Sequence, residues 1–170
     1  LQELNKGARR PKEVPAKKFR KIGVLGAGFM GAGIAYVTAK AGIPVVLIDR
    51  DQESADKGKA HSADLMDGLI KKGRATAEEK EKLLSLITAT PDYAALEGAD
   101  LVIEAVFEDS NVKKEATEKA EAVLKSSAIF ASNTSTIPIT SLSKNSARPK
   151  NFIGIHFFSP VDKMMLVEII

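Results

Sequence analysis

Three glycines with G-x-G-x-x-G spacing, Gly26, Gly28 and Gly31, are the residues of this chain best suited to bind a phosphate group. They follow an apolar run over 22–25 and precede an Ala-rich stretch of helical character, so they form a turn from strand to helix. In such a turn the first glycine permits a sharp bend, the second lets the backbone approach a pyrophosphate, and the third lets the helix pack closely on the strand. The phosphates would lie on the free N–H groups of the helix N-terminus. The spacing therefore predicts a dinucleotide site.

An acidic residue at the end of the next apolar run supports the same prediction. The run over 45–48 ends at Asp49, at the distance of about 20 residues that is typical of this fingerprint. A carboxylate there can accept hydrogen bonds from the hydroxyls of an adenosine ribose. Its charge would repel a 2′-phosphate, so Asp49 favours NAD over NADP. We interpret the neighbouring Arg50 as a solvated loop charge.

His156 and Glu168 could exchange a proton as a pair. His156 lies late in an apolar run, and imidazole is the side chain best suited to proton exchange near neutral pH, as alcohol oxidation demands. Glu168 lies between Val167 and Ile169 in a second apolar run, where a carboxylate usually has a partner. Two strands with a short connection can bring Glu168 beside His156, where it would orient the ring. The alternative is a core histidine that is satisfied by the backbone.

Polar residues after other predicted strands are further candidates. The stretch over 132–135, Ser-Asn-Thr-Ser, either forms a turn or contacts a nicotinamide or substrate oxygen. Glu108 and Lys113 follow another strand, but both could be solvent-facing charges in the first turn of the next helix. His61 lies in a charged helical stretch without a candidate partner, and we interpret it as a surface residue.

Alternating strand and helix patterns must position these candidates. The apolar runs predict strands over 22–25, 45–48, 87–90, 100–106, 128–132, 151–158 and 165–170. Helices are expected over 29–41, 52–72, 76–86, 111–125 and 136–144, with a capping box at Thr76 and Glu79. The alternation predicts an α/β fold: a Rossmann-type, doubly wound, mainly parallel sheet in a three-layer α/β/α arrangement, with extra strands near the C-terminus. Ligands collect beyond the carboxyl ends of such strands.

Composition excludes several other classes of function. The 170 residues are 44% hydrophobic and 28% charged, as in an ordinary globular chain, and no apolar run approaches the length of a membrane span. With no Cys and only two His, neither disulfides nor a metal site is expected. Residues 1–21 hold eight Lys or Arg and two acidic residues, so the remainder is slightly acidic and no nucleic-acid partner is expected. The first residues lack the apolar core of a signal peptide, so we predict a cytoplasmic protein.

Two segments differ in character. Residues 1–20 contain two prolines and a dense run of charges, which predicts an exposed interdomain linker. Residues 21–170 predict one domain. The chain opens without Met and stops inside the apolar run that ends at Ile170, so we expect it to be a piece of a longer protein.

Five motifs occur in order along residues 21–170: the glycine motif with Asp49, Val-Ile-Glu-Ala-Val-Phe-Glu over 102–108, Ser-Asn-Thr-Ser over 132–135, His-Phe-Phe-Ser-Pro over 156–160, and Leu-Val-Glu over 166–168. Together they resemble the NAD-binding domain of 3-hydroxyacyl-CoA dehydrogenases. The leader Lys-Gly-Ala-Arg-Arg-Pro is similar to the connector of bacterial multifunctional fatty-acid-oxidation α subunits, which follows an enoyl-CoA hydratase half.

The resemblance implies a role for each matching residue. It implies His156 as the catalytic base, Glu168 as its orienting partner and Ser135 near the substrate oxygen and the nicotinamide. Ser159 departs from the family, which commonly has Asn there. A further catalytic Asn, and a helical C-terminal domain that closes over acyl-CoA and forms the dimer, are expected beyond residue 170. The positions expected to contact NAD are Gly26, Gly28, Met30, Gly31, Asp49, Val106, Glu108, Lys113, Ser135 and Ser159.

The activity implied by the resemblance is oxidation of (3S)-3-hydroxyacyl-CoA to 3-ketoacyl-CoA in fatty acid β-oxidation, with NAD as cofactor. The implied partners are the acyl-CoA substrate, further subunits of an oligomeric parent protein, and a thiolase subunit. Two alternatives stay open at this point. One is a module that binds NAD without turnover, and the other is a dehydrogenase for another small hydroxy acid on the same scaffold.

Overall fold

The computed structural model describes residues 11–170, which form a seven-stranded sheet with helices on both faces. In chain order the elements are β1 (Ile22–Leu25), α1 (Phe29–Lys40), β2 (Val45–Ile48), α2 (Gln52–Lys71), α3 (Ala77–Ser85), β3 (Ile87–Thr90), β4 (Leu101–Glu104), α4 (Ser110–Glu121), β5 (Ile129–Ser132), α5 (Ile139–Ser143), β6 (Phe152–Phe157) and β7 (Val167–Ile169). Short 3₁₀ helices span Tyr93–Leu96 and Pro149–Asn151. Half of the predicted linker, residues 1–10, lies outside the described residues, while 11–20 have no regular element and are mostly exposed.

The sheet has the strand order β3-β2-β1-β4-β5-β6-β7. Strands β1 to β6 pair in parallel, and β7 pairs antiparallel to β6. The chain moves outward from β1 to β3 and then returns to β4 on the other side of β1. The strand order therefore reverses between β1 and β4, which is where ligands bind in open α/β sheets. This topology confirms the predicted Rossmann-type fold with its mainly parallel sheet.

Two apolar cores lie on opposite faces of the sheet. Every residue of β1, β2 and β4 is buried, as expected for parallel strands that are covered on both faces. Ile34, Met66 and Leu83 from α1, α2 and α3 pack in one core. Ala116 and Ala120 from α4 pack in the other. The predicted three-layer arrangement is therefore present.

Side-chain caps set the starts of three helices. Thr76 and Glu79 form the predicted capping box at α3, in which each side chain accepts the other residue's backbone N–H. Asp51 caps α2 by accepting the N–H of Ser54, and Asp109 caps α4 in the same way. Each cap satisfies N–H groups that have no partner within the helix.

Two elements end at least two residues earlier than predicted. β4 ends at Glu104 rather than at 106, because the Glu104 carboxylate accepts the N–H of Val106 and turns the chain out of the sheet. α4 ends at Glu121 rather than at 125, where the Arg148 guanidinium donates to carbonyl oxygens of residues 121, 124 and 125. Neither side-chain contact is visible in a hydrophobic pattern.

Within residues 11–170, every helix is too short or too polar to cross a membrane. The same part of the chain holds no group of three or more His, Cys, Asp or Glu arranged to bind a metal ion.

Candidate functional site

The glycine turn joins β1 to α1 as its spacing predicts. Gly26 has a φ of 89°, and a Cβ there would lie 2.5 Å from the carbonyl oxygen of Ala105, so only glycine fits without strain. At Gly31 a Cβ would lie 1.7 Å from the carbonyl oxygen of Gly26, because α1 begins directly against the turn. At Gly28 a Cβ would meet no described atom within 4 Å. Gly26 and Gly31 thus serve the fold, whereas Gly28 leaves open space at the start of the helix.

The N-terminus of α1 faces that open space. Gly28 is the N-cap residue, and within the described chain no side chain caps this end and no acidic residue lies in the first turn. The first N–H groups of a helix have no acceptor within the helix itself. A pyrophosphate beside Gly28 would supply acceptors and would also interact favourably with the helix dipole.

Asp49 extends from the end of β2 to the glycine turn. One carboxylate oxygen, Oδ2, accepts the N–H of Ala27 at 2.6 Å, and the other, Oδ1, accepts the N–H of Arg50 at 2.7 Å. Each oxygen of a carboxylate can accept a further hydrogen bond, so a ribose can still bind here. The side chain of Arg50 is 84% exposed and pairs with Asp51, which agrees with its interpretation as a solvated charge.

A cleft of about 790 Å³ lies beyond the carboxyl ends of β1, β2 and β4. Its volume falls within the range typical of small-molecule sites. It includes the topological switch point between β1 and β4. The open space at Gly28, the helix N-terminus and the Asp49 carboxylate together fit NAD. The predicted residues in its lining are Gly26, Gly28, Asp49 and Val106.

A second cluster lies at the ends of β5, β6 and β7. His156 Nδ1 lies 3.0 Å from Glu168 Oε2, and His156 Nε2 lies 3.2 Å from Ser135 Oγ. Because a carboxylate only accepts hydrogen bonds, Nδ1 donates to Glu168, and in the neutral form of the ring Nε2 accepts from the Ser135 hydroxyl. The predicted proximity of His156 and Glu168 is confirmed. The alternative of a histidine satisfied by the backbone is wrong, because both ring nitrogens contact side chains.

Glu108 holds the loop that follows β5. Its Oε1 accepts the N–H groups of Ser135 and Thr136 at 3.2 Å each, the Thr136 hydroxyl at 3.1 Å, and the Thr134 hydroxyl. Its Oε2 lies 3.1 Å from Lys113 Nζ. Burial raises the pKa of Glu108, but the hydrogen bonds from Thr134 and Lys113 outweigh it and lower the pKa to about 2. Glu108 is therefore a carboxylate at neutral pH and is not a freely solvated charge.

Lys113 is buried, so its interpretation as a solvent-facing charge is wrong. Its side chain is 2% exposed, and its Nζ lies 2.8 Å from Glu104 Oε1. Glu104, the last residue of β4, is 1% exposed and also accepts the N–H of Val106 and the hydroxyl of Ser132. Charged groups are buried only where they are paired. The Glu104 carboxylate at the end of β4 therefore stabilises the Lys113 ammonium inside the protein.

Glu104 also belongs to this cluster; the sequence places it at a strand end where ligands collect but assigns it no role. It lies within the apolar run over 100–106, and a carboxylate inside an apolar run is the signal that identified Glu168. Val106 joins the cluster to the cleft, because it lines the cleft while its carbonyl oxygen lies 3.4 Å from Lys113 Nζ.

The remaining predicted residues lie outside both groups. Among residues 11–170, Met30 and Ser159 do not line the cleft, and their side chains make no hydrogen bond. Met30 packs half-buried against the core in the first turn of α1, and Ser159 is exposed beyond the end of β6. His61 is half-buried with its ring 5.9 Å from that of Phe29, so it is not a simple surface residue.

Comparison with known proteins identifies the family. Residues 21–170 match the family described as 3-hydroxyacyl-CoA dehydrogenase, NAD binding domain. The match covers both the cleft and the second cluster. It indicates NAD as the bound cofactor, in agreement with the geometry of the glycine turn and Asp49.

Solved structures of several dehydrogenases have the same fold. (S)-3-hydroxybutyryl-CoA dehydrogenase PaaH1 of Ralstonia eutropha is 39% identical, with a TM-score of 0.86 over 89% of this chain and 54% of that chain. 3-Hydroxybutyryl-CoA dehydrogenase of Escherichia coli K12 is 35% identical, with a TM-score of 0.85 over 90% and 32% of the two chains. The dehydrogenase part of multifunctional enzyme 1 of C. elegans is 31% identical, with a TM-score of 0.79 over 91% and 35%.

This chain therefore spans about half, or less, of the length of these solved chains. Its match to the family covers nearly the whole of the described part. The chain belongs to the family of NAD-binding domains of 3-hydroxyacyl-CoA dehydrogenases.

Proposed function

We propose that this chain is the NAD-binding part of an enzyme that oxidises (3S)-3-hydroxyacyl-CoA to 3-ketoacyl-CoA, a step of fatty acid β-oxidation. The observation that carries the proposal is the hydrogen-bonded series of Ser135, His156 and Glu168 at the same sheet edge as the cleft. Acyl-CoA as the substrate is supported by the solved structures, two of which are named 3-hydroxybutyryl-CoA dehydrogenases.

His156 is the proposed base. Its Nε2 accepts the proton of the substrate hydroxyl, and the Glu168 carboxylate at Nδ1 stabilises the imidazolium that forms. Bound NAD⁺ supplies the acceptor for the hydride that leaves C3 of the substrate. The O–H and C3–H bonds break, the C3 carbonyl forms, and the proton remains on His156. The Ser135 hydroxyl, freed from Nε2, is then able to donate to the substrate oxygen.

The proposed NAD contacts follow the two groups of residues. Those with support from the cleft are Gly26, Gly28, Asp49 and Val106, with Gly31 packing the helix against the turn. Those proposed from the family motif, at or near the second cluster or the core, are Met30, Glu108, Lys113, Ser135 and Ser159.

We propose residues 1–20 as an interdomain linker and 21–170 as the NAD-binding domain of a longer cytoplasmic protein. The lengths of the solved dehydrogenases support further residues that would complete the acyl-CoA site. These further residues would form a second domain, through which the protein would oligomerise. The solved multifunctional enzyme supports a parent protein with several activities. We further propose that this parent protein associates with a thiolase subunit.

A second candidate function applies to the 170-residue chain by itself, namely NAD binding without efficient turnover. It is favoured by the exposure of β7, in which all three residues face solvent, and of Met165, which is 89% exposed. Reaction at His156 requires a site that excludes water. Calorimetry with NADH and an acetoacetyl-CoA turnover assay separate the two functions in the chain.

The variant His156→Gln in the full-length protein tests the proposed activity. We expect kcat for acetoacetyl-CoA reduction to fall by about 10²–10⁴-fold, while the Kd for NADH changes by less than about twofold. His61→Gln is the matched control, since His61 lies in α2, away from the second cluster. Activity retained by His156→Gln would remove this residue from the mechanism.

A further inference from the structure

The Glu104 carboxylate joins three elements below the second cluster. It is the last residue of β4, it is the register partner of Ser132 on β5, and it accepts the Ser132 hydroxyl at 2.7 Å. It also accepts the N–H of Val106 and the ammonium of Lys113, both at 2.8 Å. An apolar residue would suffice to pack a buried strand end. The carboxylate adds a negative charge, which forms an ion pair with Lys113.

The Lys113 ammonium is held in one orientation. Its three N–H bonds match three acceptors: Glu104 Oε1 at 2.8 Å, Glu108 Oε2 at 3.1 Å and the carbonyl oxygen of Val106 at 3.4 Å. With the side chain 2% exposed, water cannot replace a lost partner at little cost. Loss of the Glu104 charge would therefore leave a buried ammonium with one carboxylate in place of two.

Glu108 passes this constraint to Ser135. Lys113 holds Oε2, while Oε1 accepts the backbone N–H of Ser135 together with donors from Thr134 and Thr136. The backbone position of Ser135 sets its Oγ at 3.2 Å from His156 Nε2. A displacement of Glu108 would move the hydroxyl away from the ring.

We propose that Glu104 is a positioning residue, which acts through Lys113 and Glu108 to fix the Ser135 hydroxyl at His156. This inference rests on the proposed function, since it concerns the same reaction. It assigns to the carboxyl end of β4 a role in the geometry of the reaction. Glu104 itself is 1% exposed, so it acts through the side chains that it contacts.

Glu104→Gln tests the proposal, because the amide keeps the shape of the side chain and an acceptor but lacks the charge. In the full-length protein we expect kcat to fall about tenfold to 100-fold, as small misplacements of reacting groups do. The matched control is Glu121→Gln. Glu121 also accepts from a loop, through Ser146 and Ala147, but it lies at the opposite end of α4.

A double variant separates positioning from simple stability. Glu104→Gln combined with Lys113→Met removes both buried charges, so we expect its thermal stability to recover toward that of the wild type, as paired removal of buried ions allows. The kcat should stay low, because Glu108 still lacks its anchor. Recovery of kcat together with stability would overturn the proposal.

A readout in the 170-residue chain does not depend on activity. The ¹⁵N chemical shift of His156 Nε2, at one fixed pH, reports the hydrogen bond from Ser135, and Ser135→Ala provides the reference for its loss. Glu104→Gln should move this shift in the direction of Ser135→Ala, whereas Glu121→Gln should not. A wild-type shift in Glu104→Gln would overturn the positioning role. If the wild-type protein does not oxidise NADH with acetoacetyl-CoA, the proposed function fails and this measurement still decides the positioning role.

Discussion

His156 and Glu168 are direct partners in the antiparallel register of β6 and β7, with Nδ1 and Oε2 3.0 Å apart. β7 runs against the other strands, so it returns the carboxylate to the sheet edge at which the parallel strands end. The Glu168 side chain is 51% exposed, and solvent therefore screens its charge. Its contribution lies in the orientation and tautomer of the ring and not in the stability of the fold.

Glu168→Gln should separate these two effects. We expect kcat of the full-length protein to fall by about 10²-fold or more, since an amide allows the wrong ring tautomer. Thermal stability should change by less than about 1 kcal/mol, as for other exposed pairs. Steady-state kinetics and thermal unfolding measure the two quantities. Glu118→Gln, in an exposed pair with Lys114, is the control, and an unchanged kcat in Glu168→Gln would contradict the role of Glu168.

The parts of this molecule that could be predicted are those set by local sequence. The bounds of β1, β2 and β3 agree with the runs over 22–25, 45–48 and 87–90. Lys21 and Gly26 bound the first run, Pro44 and Asp49 bound the second, and Pro91 ends the third. The pairing of His156 with Glu168 could be predicted because a short connection joins their strands.

Two sets of contacts in the second cluster could not be predicted from local sequence. Lys113 could be interpreted as a solvated helix charge, because helical periodicity does not show that its side chain turns toward the Glu104 carboxylate at the end of β4. In the same way, Glu108 contacts a loop 26 to 28 residues away, and only the parallel pairing of β4 and β5 brings the two together.

Gly31→Ala should destabilise the fold, whereas Gly28→Ala should leave its stability nearly unchanged. A Cβ at Gly31 would lie 1.7 Å from a backbone oxygen, so this variant should lose about 1–3 kcal/mol or more of unfolding free energy. A Cβ at Gly28 would meet only open space among the described residues, so stability should change by less than about 0.5 kcal/mol.

Both variants should nevertheless bind NADH more weakly than the wild type. In Gly28→Ala the new methyl group occupies the space for the pyrophosphate, and we expect the Kd to rise at least about tenfold while the protein stays folded. Urea unfolding and calorimetry on the chain measure both quantities. Gly68→Ala, within α2 and without a close neighbour in the described chain, is the control. Wild-type affinity in Gly28→Ala would remove the pyrophosphate from this position.

Asp49→Asn tests the choice between the two nicotinamide cofactors. The amide oxygen can still accept the N–H of Ala27 and hold the glycine turn, although the NH2 group cannot accept the N–H of Arg50. Loss of charged hydrogen bonds to the ribose should raise the Kd for NADH about tenfold, and the Kd for NADPH should fall because repulsion of its phosphate is removed. Asp56→Asn, exposed on α2, is the control. An unchanged ratio of the two Kd values would exclude Asp49 from ribose recognition.

Glu108 should make the stability of the chain depend on acid pH. In the folded state its pKa is lowered from 4.5 to about 2, because the bonds from Thr134 and Lys113 outweigh its burial. The unfolded chain therefore binds the proton first as the pH falls. The stabilisation by Glu108 is complete above about pH 5 and is lost progressively toward about pH 2. Glu108→Gln should accordingly differ most from the wild type at neutral pH and converge with it in acid, as followed by urea unfolding.

Asp100→Asn provides the comparison that assigns this effect to the site. The pKa of Asp100 is also lowered to about 2, chiefly by the hydrogen bond from Lys125. Asp100, however, precedes β4 and so lies at the end of the strand opposite to the site. Both variants should thus lose stability at neutral pH and approach the wild type in acid. Only Glu108→Gln should also lower kcat in the full-length protein, by about tenfold to 100-fold, since it alone releases the backbone of Ser135. Equal kcat in the two variants would show that Glu108 stabilises the fold without positioning the reacting groups.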